Sequence, residues 1–181
     1  MRINKHLWQK GMACVVVLLF TIHYSLFTTS SSVSYKFNGA SIDYSKVKTI
    51  QIAEFPIRSS YVWGPMGPIF NNQLKNKYAD HTKLIQVKRN GDLKLEGEIT
   101  KYEQRNKAVT AEGYSAQTEL SITVNVRFTK NKNHDKDFEQ SFTAQQSFNN
   151  TLSLNSVQED LVNQIVEDLC DQIFNKTVAD W

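Results

Sequence analysis

The side chains that could perform catalysis or bind a metal are few and widely spaced in this sequence of 181 residues. Beyond the N-terminal segment it has two histidines, His81 and His134, which we expect to be exposed because neither has a second ligand at metal-site spacing. Cys170 lies on an apolar helical face without a histidine nearby in sequence, which favours a small buried residue over a nucleophile. Glu96 and Glu98 share one strand face with neighbouring cations, which favours a solvated, charge-mixed surface over an acid–base pair. Because the sequence also lacks nucleophile, phosphate-loop and dinucleotide motifs, we expect a non-catalytic protein without a cofactor.

The N-terminal segment has the composition of a secretory signal. Three cations precede an uncharged apolar run at residues 11–22. The apolar character continues in patches for about 17 residues, which is the lower limit for a membrane-spanning helix, so an uncleaved anchor is the alternative. We therefore assign residues 1–31 to a signal peptide or N-terminal anchor, and residues 32–181 to a single exported domain.

The charge is divided unevenly between these two parts. The first 31 residues hold three of the 21 Lys and Arg residues and none of the 18 Asp and Glu residues, so the remainder carries 18 of each. Nucleic-acid binding depends on clustered cations, which a neutral body does not provide. We therefore expect no nucleic-acid partner.

The spacing of apolar residues predicts two helices. The first follows Pro68, a residue suited to a first helical turn, and should end near Asp80. The second is longer and is predicted over residues 155–176, where one face is apolar and the other polar. Its apolar stripe comprises Val157, Leu161, Ile165, Val166, Leu169, Ile173 and Phe174.

The first part of the body also contains strand-like segments. Residues 47–55 are rich in β-branched side chains and stop at a proline, which is typical of a strand. Residues 83–89 and 92–100 flank Asn90 and Gly91, the favoured dipeptide of a tight turn. We therefore predict that these two segments form a hairpin.

A second hairpin is predicted further along the chain. Residues 120–128 alternate strictly between apolar and polar side chains, and residues 137–148 return after a polar turn. The whole order is strand, helix, four strands and helix. It predicts an α+β fold in which two helices pack on one face of a mostly antiparallel sheet of four to five strands.

The connection before the first helix concentrates apolar side chains in a loop rich in glycine and proline. One interpretation is that these side chains fold back over the end of the helix. The other is a docking loop for a membrane protein or lipid, because large exposed apolar patches usually serve interaction. The candidate docking residues are Tyr61, Val62, Trp63 and Met66.

Five blocks of this sequence resemble, in the same order, segments of the LptE family of lipopolysaccharide-assembly lipoproteins of Gram-negative bacteria. The blocks are SVSYKFNGASI, KTIQIAEFP, GDLKLEGEITKY, LSITVNVRFTKNK with DFEQSF, and IVEDLCDQIFNKTVADW. Each block alone is ordinary amphipathic sequence, but five in register over residues 31–181 are fairly specific. The resemblance implies two helices packed against a mostly four-stranded sheet, one strand fewer than we count.

The resemblance also implies a location and partners. It implies an outer-membrane protein facing the periplasm, which plugs a large β-barrel called LptD and helps to place lipopolysaccharide in the outer leaflet. In the family an acylated cysteine precedes a Tyr-x-Phe-x-Gly segment, whereas Ser31 stands near the matching position here. Serine cannot form the thioether that carries the lipid, so we expect no lipidation at this position.

Two questions about function stay open at this point. Lipopolysaccharide presents phosphates or carboxylates, for which Arg and Lys are suitable donors, so we hypothesise that Lys94, Lys101 and Arg127 on the polar sheet face bind it. The alternative is that they are ordinary solubilising charges. A secreted ligand-binding module, or a pilot protein for another membrane assembly, is the alternative function, because fold alone does not distinguish these classes.

The N-terminal composition predicts an exported protein without diacylglycerol at residue 31. Intact-mass analysis of the membrane-extracted protein should show no lipid-sized increment. A lipid-sized increment, or mature protein retained in the cytoplasm, would contradict the prediction.

Overall fold

The computed structural model describes residues 42–61, 63–107 and 117–178. The segment 1–31, with its serine at position 31, lies outside these ranges, so the predictions made for it stay predictions. Within the described ranges the elements are β1 (Thr49–Ile52), α1 (Met66–His81), β2 (Ile85–Gln86), β3 (Leu93–Asn106), β4 (Gln117–Lys130), a 3-10 turn (His134–Lys136), β5 (Phe138–Asn149) and α2 (Leu154–Val178).

The strands form one mixed sheet in the order β2-β1-β3-β4-β5. β1 is parallel to both of its neighbours, whereas β3, β4 and β5 are antiparallel to one another. The strict alternation predicted for residues 120–128 places every apolar side chain of that segment in the core. The predicted α+β class, with a mostly antiparallel sheet, is confirmed.

The hairpin predicted across Asn90 and Gly91 is wrong. β2 and β3 are not neighbours, because β1 lies between them and pairs with both. Asn90 does adopt the left-handed conformation typical of a turn, with a φ of 54°. The turn passes so close to β1 that a Cβ at Gly91 would lie 2.6 Å from the backbone nitrogen of Gln51. The turn at Asn90 and Gly91 therefore leads the chain past β1, so that β3 pairs with β1 and not with β2.

β3 is longer than the predicted strand and continues to Asn106. The pairing with β4 shifts register between Ile99 and Lys101, which is a β-bulge. The extra residue allows Ile99 and Tyr102, three positions apart, both to be buried on the inner face. A strict two-residue alternation would have placed Tyr102 on the polar face.

The two helices pack against the apolar face of the sheet. α1 begins at Met66, two residues before the proline expected in its first turn, and α2 extends two residues beyond its predicted end. The ring of Tyr78 on α1 packs edge-on against Phe174 on α2, with centroids 5.2 Å apart. The Tyr78 hydroxyl also hydrogen-bonds Thr177. Burial raises the pKa of Tyr78, so this hydroxyl stays protonated.

A buried asparagine joins α1 to the chain segment that follows β1. The Asn71 Oδ1 accepts a hydrogen bond from the Phe55 backbone N–H at 2.8 Å. Its Nδ2 donates to the carbonyl oxygens of Phe55, at 3.4 Å, and Gly67, at 2.9 Å. The ring of Phe55 packs edge-on against Phe70, with centroids 5.3 Å apart. The asparagine thus satisfies backbone groups where an irregular segment is buried.

We expect Asn71→Ala to lower the free energy of unfolding by about 1–3 kcal/mol, because the buried Phe55 N–H loses its partner. Asn72→Ala is the matched control, since Asn72 is exposed on the same helix and should change stability little. Urea unfolding of both variants measures the difference. Equal stability of the two variants would contradict the assigned role.

Candidate functional site

A row of charged side chains crosses the polar face of the sheet. The register places Glu96 of β3 opposite Arg127 of β4, and Arg127 opposite Glu139 of β5. The Arg127 Nε and Nη2 lie 3.0 and 2.9 Å from the Glu139 Oε2, and its Nη1 lies 3.8 Å from the Glu96 Oε1. The Lys94 Nζ is 2.7 Å from the Glu96 Oε2. We call these four residues the charged row; it holds two cations and two carboxylates.

Arg127 and Glu139 of the charged row stabilise each other's charged forms. Glu139 accepts hydrogen bonds from Arg127 and Asn125, and these bonds hold the pKa of Glu139 below its ordinary value. The hydrogen bond to Glu139 raises the pKa of Arg127. Arg127 is 58% exposed, so water and salt screen the pair and its contribution to stability is small.

The carboxylates on this face have separate cationic partners. Glu96 contacts Lys94 and Arg127, whereas Glu98 lies 3.7 Å from the Nε of Arg58. Each carboxylate therefore belongs to an ion pair, as in the charge-mixed surface predicted from the sequence.

Hydroxyl and amide groups lie beside the ion pairs on the polar face. The Thr123 and Thr143 hydroxyl oxygens are 2.9 Å apart. The Ser141 hydroxyl donates to the Asn125 Oδ1 at 3.4 Å. These neutral groups can donate hydrogen bonds to a polar partner or accept them from it, whatever the charge of that partner.

The three cations predicted to bind lipopolysaccharide all have exposed or half-buried side chains, but they do not form one cluster. Lys94 and Arg127 are joined through Glu96, whereas Lys101 lies at the bulge opposite Thr123. Seven positions separate Lys94 from Lys101, which corresponds to about 20 Å along a strand. An anionic group bound by the first two cations would therefore need a second, distant anionic group to reach Lys101.

The predicted docking loop divides into residues with different environments. Tyr61 is 58% exposed, and its ring centroid lies 5.7 Å from that of Tyr102. Trp63 is half-buried and packs against the core. Met66 is fully buried as the first residue of α1, so its assignment to a docking surface is wrong: its side chain completes the core. Val62 lies outside the described residues.

A groove extends from Tyr61 toward the start of α2. Burial raises the pKa of Tyr102, whose hydroxyl accepts a hydrogen bond from Gln158. Leu152, in the connection between β5 and α2, is 48% exposed and adjoins the lining residues in sequence. Sequence reasoning missed Tyr102 because the bulge, which a strict alternation does not predict, turns it inward. The lining consists of Tyr61, Tyr102, Gln104, Ser153, Leu154 and Asn155.

The histidines and the cysteine occupy ordinary structural positions. His81 and His134 are exposed, as predicted, and the His134 Nδ1 lies 2.8 Å from Asp137. Cys170 is buried, as predicted, and burial raises its pKa to about 12. A thiol with this pKa is a poor nucleophile at neutral pH. Among residues 42–61, 63–107 and 117–178, no three His, Cys, Asp or Glu side chains are grouped to hold a metal.

Asp92 is a polar residue that sequence reasoning missed. Its carboxylate accepts hydrogen bonds from the backbone N–H groups of Lys48 and Thr49 and pairs with Lys132 at 2.7 Å. The contact with Lys132, followed by these backbone hydrogen bonds, holds the pKa of Asp92 far below its ordinary value. It anchors the chain entering β1 to the hairpin between β4 and β5. Its partners are distant in sequence, so no local pattern indicated this role.

Comparison with known proteins identifies the family. A family model described as LptE, lipopolysaccharide-assembly, matches residues 47–177, which span the sheet and nearly all of α2. The chain belongs to the LptE lipopolysaccharide-assembly family. It therefore has a role in lipopolysaccharide assembly at the outer membrane. A search of curated proteins found no match.

Several solved structures are similar to this chain at low sequence identity, and the two with TM-scores above 0.5 share its fold. A hypothetical protein from Chlamydia trachomatis is 9% identical, with a TM-score of 0.53 over 72% of this chain and 95% of that one. A protein from Xanthomonas campestris is 12% identical, with a TM-score of 0.52 over 72% and 84%. The rare lipoprotein B from Shewanella oneidensis is 15% identical, with a TM-score of 0.43 over 70% and 92%.

Neither α1 nor α2, the helices in the described part of this LptE-family chain, has the length and hydrophobicity of a membrane span.

Proposed function

We propose that this LptE-family chain is a non-catalytic component of the outer-membrane lipopolysaccharide assembly complex. It binds an LptD-like β-barrel from the periplasmic side in a one-to-one complex, with most of the domain inside the lumen. The observation that carries this proposal is the two-sided sheet: in the described residues the helices cover one face, and hydroxyl, amide and paired charged groups line the other. Barrel lumens are polar, so a face of this composition suits such a site.

The exposed aromatic ring at the end of the sheet provides an anchor for the complex. Tyr61 lies against Tyr102 beside the groove described above, so an added partner would bury apolar surface that is now in water. Buried aromatic residues tend to dominate interface energies. Trp63 holds the same loop against the domain, because its side chain packs against the core.

The polar face also supplies cations for lipopolysaccharide. Lys94 and Arg127 flank Glu96, so a phosphate or carboxylate can bind there by replacing the carboxylate contacts of these cations. Lys101 would bind a second anionic group further along the strand. Since the charged row is neutral as a whole, we expect recognition to depend on local geometry more than on long-range attraction.

For the barrel complex, we expect Tyr61→Ala to weaken binding by roughly 2–4 kcal/mol, the range of an interface hot spot. Ile85→Ala is the matched control, because Ile85 is similarly exposed, at 65%, but lies on β2 away from the groove. Detergent-solubilised pull-down with the barrel, followed by mass spectrometry and titration, measures both variants.

Trp63→Ala should instead lower the thermal stability of the isolated domain, because this side chain packs against the core. Equal loss of barrel binding by the Tyr61 and Ile85 variants would contradict the docking role. A wild-type domain that is monomeric in outer-membrane extracts, with the barrel folding normally in its absence, would remove the proposed complex altogether.

For lipopolysaccharide, we expect the double variant Lys94→Gln and Arg127→Gln to bind more weakly, because two donors for an anionic group are lost. Gln is preferable to Glu here, since a new carboxylate would repel Glu96 and Glu139. Lys83→Gln with Lys88→Gln is the control, because both residues are exposed and flank β2 at the far edge. Binding of purified lipopolysaccharide, with circular dichroism as the folding check, tests the pair. Unaltered binding, or equal weakening of the control, would retire the assignment.

A further inference from the structure

The outer edge of β5 is long and regular, and beyond Glu139 it is uncharged. β5 is the last strand of the sheet. Its pairing with β4 extends from the Phe128–Phe138 pair to the Gln117–Asn149 pair without a register shift. The ten residues from Gln140 to Asn149 include no charged residue, proline or glycine. A strand of this kind can accept another strand along its free side.

The opposite edge of the same sheet has the usual protection. β2 is only two residues long, and Lys83, Lys88 and Arg89 flank it. Short length and lysine side chains are devices that prevent unwanted strand pairing. In the described part of the chain, β5 is neither short nor lysine-bearing. The β5 edge can therefore pair with another strand, whereas the β2 edge is protected from such pairing.

The hydrogen-bonding groups that β5 turns outward can be identified from the structure. The carbonyl of Thr123 faces β3, because it accepts a hydrogen bond from the Thr100 hydroxyl at 3.3 Å. Thr143 lies opposite Thr123, so its backbone N–H and C=O point away from β4. Its carbonyl accordingly accepts from the Gln172 Nε2 of α2 at 3.3 Å.

The same alternation turns the backbone groups of Ser141, Gln145 and Ser147 outward. Within residues 42–61, 63–107 and 117–178, no group hydrogen-bonds these backbone N–H and C=O groups, whereas the side chains of Ser141 and Ser147 contact Asn125 and Lys107. These residues, whose side chains lie on the polar face, are all exposed. In the described part of the chain they form a hydrogen-bonding edge without a neighbouring strand on both sides of the Gln172 contact.

The helix beside this edge carries an excess of negative charge. Asp168 lies one turn before Gln172, so it projects from the same side of α2 as the residue that reaches Thr143. A second copy of this chain paired through β5 would bring two such acidic helices side by side, which is repulsive. A strand that carries Lys or Arg on the helix side would be attracted. The charged residues of α2 are Glu159, Asp160, Glu167, Asp168, Asp171 and Lys176.

We propose that the β5 edge is a strand-addition site for an extended segment of a partner protein. The added segment has uncharged side chains on the polar-face side and includes Lys or Arg on the side of α2. Main-chain hydrogen bonds to Ser141, Gln145 and Ser147 hold it, and Asp168 selects its charge. The proposed contacts on β5 begin at Ser141, beyond Glu139 of the charged row, and do not include Tyr61, so the inference goes beyond barrel docking and lipopolysaccharide binding.

Two labelled peptides of ten residues test the proposal against the full chain. Both alternate Thr with Val; the basic peptide replaces two central Val residues by Lys, and the acidic peptide replaces them by Glu. We expect fluorescence anisotropy to show binding of the basic peptide at least about tenfold tighter than that of the acidic peptide. Amide exchange should show protection of Ser141, Gln145 and Ser147 when the basic peptide is bound.

Two variants separate the edge from other surfaces. Gln145→Pro removes an outward N–H while the β4 pairing stays intact, and should abolish peptide binding; Gln145→Ala keeps the N–H and should retain it. Asp168→Lys should make the chain bind the acidic peptide more tightly than the basic one. Because Asp168 is exposed, this variant tests the proposal even if Gln145→Pro fails to fold.

Equal affinity for both peptides, or undiminished binding by a folded Gln145→Pro variant, would overturn the proposal. So would protection of the three amides in the free chain, because the edge would then already be occupied. Dimerisation through β5 would assign the edge to a second copy and would also overturn it.

Discussion

The antiparallel pairing of β3 with β4 sets the side of the sheet on which most other residues lie. Along this ladder Leu95 and Ile99 turn inward, while Glu96 faces Arg127 on the other side. Because side chains alternate with a period of two, a slip of one residue would exchange the apolar and polar faces. The bulge between Ile99 and Lys101 shifts the alternation by one residue, so that Tyr102 points inward. Both the core and the charged row depend on this register.

Buried polar residues then connect the elements that the ladder does not reach. Asn71 joins α1 to the segment after β1, and Gln158 joins α2 to Tyr102 on β3. Thr177 joins the end of α2 to Tyr78 on α1. Each is more than nine-tenths buried and has its partner, which is the condition under which a buried polar group does not destabilise a core. The helices are therefore held in specific positions by directional bonds as well as by apolar contact.

The titratable side chains of the described residues lie in three kinds of environment. In the described residues the carboxylates of the polar face are paired with cations, the cysteine is buried, and the histidines are exposed without metal-ligand neighbours. What distinguishes the described surface is its geometry: a polar sheet face, an exposed tyrosine beside a groove, and the regular edge of β5. We propose that these features recognise partners through shape and hydrogen bonds, in keeping with the family's role in lipopolysaccharide assembly.

Local pattern by itself determined the fold class, both helices, the alternation of β4, the burial of Cys170 and the exposure of His81 and His134. These depend on periodicity within one segment, which a sequence displays directly. The tertiary structure decided what depends on contacts between distant segments: β1 inserts between β2 and β3, and Met66 enters the core. It also decided that Glu96 joins Lys94 to Arg127, while Lys101 stands apart. Turn chemistry at Asn90 and Gly91 could not reveal which strand the chain would meet next, because burial and pairing across the whole sheet select the neighbour.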